Sequence, residues 1–192
     1  MRRTQNSALC GRCCLLHKKK YGKITVSAWL NLELSQSSPA LMLLVGFGLL
    51  IASVVVQVRV GSPYPVILAL GVKSIFPPVW IMSMIRALSF LTVGCAAGFA
   101  LGYRETGCQG EKYKGGMFFV LLAVLELLWY PTLFGSSWVF LSALESVLIL
   151  CLSVCVTVCF YRVTKFAGMI LLLHDVWLIY LLILNFAILF HA

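Results

Sequence analysis

The chain has 192 residues, 61% of them hydrophobic and only 11% charged, with a mean hydropathy of +1.00 and a formal net charge of +9. Soluble domains carry about a quarter charged residues, so this composition makes the bilayer the solvent and leaves room for one membrane domain with a tail. The positive charge lies at the ends of apolar runs and in the first 23 residues, in no nucleic-acid motif, which sets nucleic acid aside as a partner.

Residues 1–37 read as a basic, cysteine-containing tail with Arg2, Arg3, Arg12, Lys18, Lys19, Lys20 and Lys23, and lack the apolar core of a signal peptide. Cys10, Cys13, Cys14 and His17 crowd four ligand types into eight residues, without the separated halves of a structural zinc site, so no metal is assigned. Cysteines beside a polybasic run suit S-palmitoylation or an unmodified tail.

Residues 38–192 form the membrane domain. Apolar spans at 40–58, 79–102, 116–134, 138–160 and 167–190 each approach the length that crosses about 30 Å of hydrocarbon. The fold class is an all-α integral membrane protein, a bundle of five transmembrane helices. The piece from Val66 to Val72, bracketed by Pro63, Pro65, Pro77 and Pro78, is too short to span and reads as a loop or interfacial segment capping one end. Gly135, Ser136 and Ser137 join the third and fourth spans so tightly that these become antiparallel neighbours, bringing Glu126 and Glu145 into one neighbourhood.

Seven basic residues of the tail, three of the 103–115 loop and two of the 161–166 loop fall on one side of such a bundle, against Arg59 and Lys73 on the other. This bias places the amino terminus in the cytosol for insertion through the ordinary secretory route. Gly94, Gly98 and Gly102 permit close helix approach, as does the stripe Cys151, Cys155, Cys159, within one chain or in a homodimer through these small-residue faces. Cysteines inside spans pack as small residues and do not form a disulfide framework.

Four ionisable residues interrupt the spans: Arg86, Glu126, Glu145 and Asp175. Each costs about 2.5–3.5 kcal/mol near a bilayer centre, so the set belongs on the inside of the bundle. Arg86, Glu126 and Glu145 fall at a matched depth of roughly 10–14 Å by helical rise, where a cation and two carboxylates partly neutralise one another. The set reads either as a polar patch that binds a ligand's polar end or passes protons, or as an ion-pair network that only fixes packing. Trp80 and Trp138, at span ends, suit the interfacial belt; Trp129 and Trp177, lying deeper, suit stacking on a flat ligand. His174 beside Asp175 could relay protons, but with no Ser or Cys nucleophile in register it does not indicate a hydrolase. Val158, Tyr161 and Lys165 meet a weak cholesterol pattern that also describes a helix end with a snorkelling lysine. No cofactor fingerprint is present, and no enzyme is expected.

The order of features from about Ser38 to the carboxyl end resembles the tryptophan-rich sensory protein and translocator protein family (TspO/MBR, the peripheral benzodiazepine receptors). The segment from Glu126 through Trp129, Tyr130, Pro131 and Phe134 to Gly135 looks like the family's N-W-x-W-x-P-x-F-F-G, and Glu145 falls on its helix-four acid. Tyr161-Arg162-Val163 resembles its W-Y-x-V, His174 to Trp177 its Y-L-x-W, and Leu184-Asn185-Phe186 its L-N-Y. Phe76-Pro77-Pro78-Val79-Trp80 is similar to the segment that opens helix two, with Gly94 on the helix-two glycine.

The departures alter charge and shape: Ser83-Met84-Ile85-Arg86 stands for the family's G-P-V-W, Glu126 for an Asn, Leu141 for an aromatic and Leu173 for a Pro. The W-R-D ending is missing after Leu184-Asn185-Phe186, which argues against cholesterol at that place. The resemblance implies a five-helix bundle whose cavity binds a tetrapyrrole such as protoporphyrin, a sterol or a drug-like molecule, in transport or sensing. Carried over position by position, it implies a pocket lined by Glu126, Trp129, Glu145, Leu148, Trp177, Leu181 and Leu184. It also implies the mitochondrial outer membrane, though the tail suits another endomembrane equally. Two alternatives stay open: a small proton-coupled carrier or conductance using Arg86, Glu126, Glu145 and Asp175, and a degenerate member that binds no ligand and serves as a membrane interaction partner.

Overall fold

A computed structural model describes residues 38–69, 77–104 and 109–191. The tail at 1–37 with its cysteines, the stretch 70–76 with Lys73, and residues 105–108 with Cys108 lie outside the described residues.

Helix α1 runs Pro39–Val60, α2 Tyr64–Ala69, α3 Val79–Gly102, α4 Gln109–Tyr130, α5 Val139–Val163 and α6 Lys165–His191. Five of them, all but α2, are long and apolar enough to cross a membrane. Prolines open two of them: Pro39 begins α1, where its missing N–H is no loss, and Pro78 accepts the first bonds of α3 from Ile81 and Met82. The short α2 occupies the described part of the Val66–Val72 piece.

Two joints differ from the expected loops. The third span begins seven residues early, because Glu111, Lys112 and Lys114 remain helical at the membrane edge. There Glu111 pairs with Lys114 and with Arg162 of α5, and Lys112 Nζ donates to the Tyr103 carbonyl. The loop expected at 161–166 shrinks to Thr164 alone, in extended backbone, whose hydroxyl accepts from Ala167 N–H and caps α6. A one-residue joint forces α5 and α6 to lie antiparallel along each other.

At the other end, Pro131 cannot donate to the preceding turn, and α4 widens into a π-helical turn, Pro131–Gly135. Ser137 then takes a left-handed φ of 56° and Trp138 N–H reaches back to the Thr132 carbonyl, closing the tight connection into α5.

Around the bundle the neighbours run α1, α3, α6, α5, α4, and α4 touches back on α1 and α3 only sparsely. The α1–α3 contact is the closest: a methyl at Gly98 would lie 2.5 Å from Met42 Cα, and one at Gly94 2.7 Å from Gly46 Cα. The glycine face of α3 is therefore filled within the chain, whereas Cys151 and Cys155 face outward. Much of α1 otherwise presents large apolar residues such as Leu44, Ile51 and Val58 to the surroundings, as a lipid-facing helix does.

Candidate functional site

Within the ring, α3, α4, α5 and α6 leave a cavity floored by polar groups. Arg86, Ser89 and Phe90 come from α3, Glu126 and Trp129 from α4, Ser146 and Ile149 from α5, and His174, Trp177, Leu178 and Leu181 from α6. A second lobe continues past Arg86, Trp129 and Trp177 toward Gln57 of α1, Met82 of α3, and Tyr130 and Phe134. It lies at the seam where α4 meets α1 and α3. The cavity holds about 30 Å³, room for one or two waters, while the void including its open mouth amounts to about 390 Å³.

A hydrogen-bonded chain crosses the floor. His174 Nε2 lies 2.7 Å from Glu126 Oε1, and His174 Nδ1 lies 2.6 Å from Ser89 Oγ. With Glu126 ionised, Nε2 donates to the carboxylate; Ser89 donates to Nδ1 of the neutral ring and accepts from it when the ring is charged. His174 and Glu126 are both buried, so each satisfies a group that would otherwise be stranded away from water. Although the order Ser, His, Glu matches a nucleophile, base and orienter, Ser89 sits inside α3, where backbone N–H groups are spent on the helix.

Arg86 is held by aromatic faces. Its guanidinium carbon sits 4.5 Å from the Tyr130 ring centroid, 5.4 Å from Phe90 and 5.5 Å from Trp129, and Nη2 donates to the Glu126 backbone carbonyl at 3.2 Å. Cation–π contacts of this kind contribute up to about 2 kcal/mol each in a dry site and offset part of the cost of burying the cation. Among the described residues no Asp or Glu oxygen comes within 4 Å of it. Arg86 Nε and Trp129 Nε1 are buried donors without a hydrogen-bond partner.

The expected network therefore resolves into three parts. Arg86 hydrogen-bonds the Glu126 backbone carbonyl, while the Glu126 carboxylate acts on it only through space. Asp175 faces α5 instead, where the Ser153 hydroxyl donates to Oδ1 and the Thr157 hydroxyl to Oδ2 at 2.9 Å. Glu145 is buried beside Thr132 of the π turn, with Oε2 unpartnered, and lines neither lobe.

Of the expected pocket residues, Glu126, Trp129, Trp177 and Leu181 line the cavity. Leu184 is buried but lines neither lobe, in a layer where the Ser142 hydroxyl meets Asn185 Oδ1. Leu148 is a correction: it is 49% exposed on the outer face of α5, because the buried stripe through Ser142, Ser146, Ile149 and Ser153 turns Ile149 inward in its place. Trp80 and Trp138, 66% and 63% exposed at helix starts, stand at the rim, whereas Trp177 stacks on Tyr180 at 5.3 Å with its ring on the cavity. Arg86, Ser89 and His174 belong to the cavity beyond the residues expected from the resemblance. The signal that could have found Ser89 and His174 is their polarity inside apolar spans, where each needs a partner.

Five apolar helices around an inward-facing tryptophan and acid, with a π turn at Pro131–Gly135 just beyond the tryptophan, meet a family-model match to the TspO/MBR family over residues 38–191. The chain belongs to the TspO/MBR family. No individual curated protein and no solved structure matches it. As a TspO/MBR member it is an integral, multi-pass membrane protein of a sensory and translocator family, in contact with lipid along its five spans. In this member the cavity combines stacking surfaces, one aromatic-caged cation and a hydroxyl–imidazole–carboxylate chain. These can grip an apolar molecule with a polar end or hold and pass a proton.

Proposed function

We propose that this TspO/MBR protein is a non-enzymatic membrane receptor for a flat hydrophobic ligand, a tetrapyrrole or a sterol, taken into the cavity between α3, α4, α5 and α6. The observation that carries the reading is that Trp129 and Trp177 flank a polar floor on which two buried donors, Arg86 Nε and Trp129 Nε1, have no partner. Unmet donors in an apolar site favour a ligand that supplies acceptors. Pockets for drug-sized ligands measure roughly 300–1,000 Å³, so binding must widen the narrow interior of the cavity. The sparse seam of α4 against α1 and α3, where the second lobe lies, is the place where widening breaks the fewest contacts.

Titration of the purified protein with protoporphyrin and with cholesterol, followed by Trp fluorescence, tests this. Saturable quenching by either ligand, weakened in a Trp129→Ala, Trp177→Ala double variant, is the expected result. Unchanged affinity in that variant removes the two rings from the site, and failure to bind either ligand favours a membrane interaction partner without a ligand.

A second reading, a proton-coupled carrier or conductance, is favoured by one specific feature, the continuous line Ser89–His174–Glu126 across three helices. A pH-dependent flux in liposomes that disappears in His174→Leu would support it. For compartment we propose the mitochondrial outer membrane or another endomembrane, to be distinguished by fluorescent tagging with and without residues 1–37.

A further inference from the structure

The cavity's one guanidinium is placed to read a negative charge. Arg86 projects from α3 into both lobes, is buried, and lies over the rings of Phe90, Trp129 and Tyr130. Its edge is incompletely used. One N–H reaches the Glu126 backbone carbonyl, and Nε has no partner. The nearest carboxylate, Glu126, acts on Arg86 only through space: no oxygen of it pairs directly with the guanidinium, and its Oε1 is bound by His174. Asp175 is tied to Ser153 and Thr157, and Glu145 lines neither lobe. Beside the guanidinium, Trp129 offers a second unpartnered N–H from a ring that also lines both lobes.

A guanidinium with one N–H unpartnered, lying over an indole whose own N–H is unpartnered, suits an anionic acceptor such as a carboxylate, and such a bond is worth most where water is excluded. A hydroxyl or an ester carbonyl accepts one such bond without answering the charge. Resting on the ligand-binding reading above, we propose that Arg86 and Trp129 form a carboxylate-recognition subsite, so that this cavity selects flat hydrophobic ligands bearing an acid group over neutral sterols and esters of the same size. Arg86 is the specificity-determining residue, and Trp129 contributes both a stacking face and a donor.

The full-length protein in detergent is titrated with protoporphyrin IX and, in parallel, with its dimethyl ester, which keeps the ring and removes the charge. The free acid is expected to bind about ten- to a hundredfold more tightly, the worth of a charged hydrogen bond left unmade. In Arg86→Gln the ratio of the two affinities is expected to fall to about one, in Arg86→Lys to recover in part, and in Trp129→Phe, which keeps the aromatic face, to shrink without vanishing. Equal binding of acid and ester by the unaltered protein overturns the carboxylate subsite while leaving the general ligand reading intact. Discrimination that persists in a folded Arg86→Gln overturns the assignment to Arg86. Binding of neither compound overturns this subsite, and the cholesterol titration above then decides whether the broader ligand reading stands.

Discussion

His174 and Glu126, 48 residues apart in sequence, meet at 2.7 Å inside the bundle and tie α6 to α4. Both are buried, so neither can fall back on water if the other is lost. Breaking such a pair from one side costs about 3–5 kcal/mol, because a charge stays behind unpaired, whereas replacing both members by apolar groups is often neutral. His174→Leu is therefore expected to lower the thermal stability of the detergent-solubilised protein sharply. Glu126→Gln, which keeps an acceptor for the ring, is expected to do less. The double His174→Leu, Glu126→Leu variant should regain most of the loss. Heating followed by size-exclusion chromatography of the surviving protein ranks the three. A double variant as unstable as the single histidine change would contradict the pairing.

The α1–α3 contact depends on missing side chains. At Gly98 an added carbon would meet Met42 Cα at 2.5 Å, and this obstacle is backbone, which cannot rotate aside. Gly98→Val is expected to push α1 off α3 and to cost about 1–3 kcal/mol, the usual range for overpacking. Gly48 lies on the same helix as Gly46 yet has open space around it, so Gly48→Ala should leave the melting temperature unchanged or raise it slightly. The contrast between the two is read by differential scanning fluorimetry.

The spans were legible because length and apolarity alone define them, and α3 begins and ends where its apolar run does, at Val79 and Gly102. Rotation was not legible. A helix that is apolar all round carries no periodic signal to say which face is inward, so Leu148 and Ile149 are equivalent in sequence, yet one is exposed and the other buried. The resemblance supplied Glu126, Trp129 and Trp177, but not the partners of Arg86, since Arg86 is itself a departure from the family pattern and its aromatic cage comes from two helices, Phe90 of α3 and Trp129 and Tyr130 of α4. Bulk placed at the two neighbouring positions checks the rotation. Ile149→Trp should fill the cavity and abolish protoporphyrin quenching, whereas Leu148→Trp, which faces the lipid, should leave it intact. Loss of quenching in both would mean that α5 is turned differently.

The seam beside the second lobe is fastened by Tyr130, whose hydroxyl donates to the Gly61 carbonyl at 3.3 Å, joining α4 to the end of α1. Gly61 takes φ of 87° there, a left-handed conformation that suits glycine, so the carbonyl is aimed by backbone geometry rather than by a side chain. If ligand enters by parting α4 from α1, this bond must open first. Removing it should lower the barrier by the net worth of one hydrogen bond, about 0.5–1.5 kcal/mol, which is roughly a two- to tenfold faster association. Tyr130→Phe keeps the ring over Arg86 and deletes only the hydroxyl, so stopped-flow mixing with protoporphyrin should show faster binding with little change in the bound complex's fluorescence. An association rate equal to that of the unaltered protein would place the entrance elsewhere. A slower one would mean that the Tyr130 hydroxyl contacts the ligand itself.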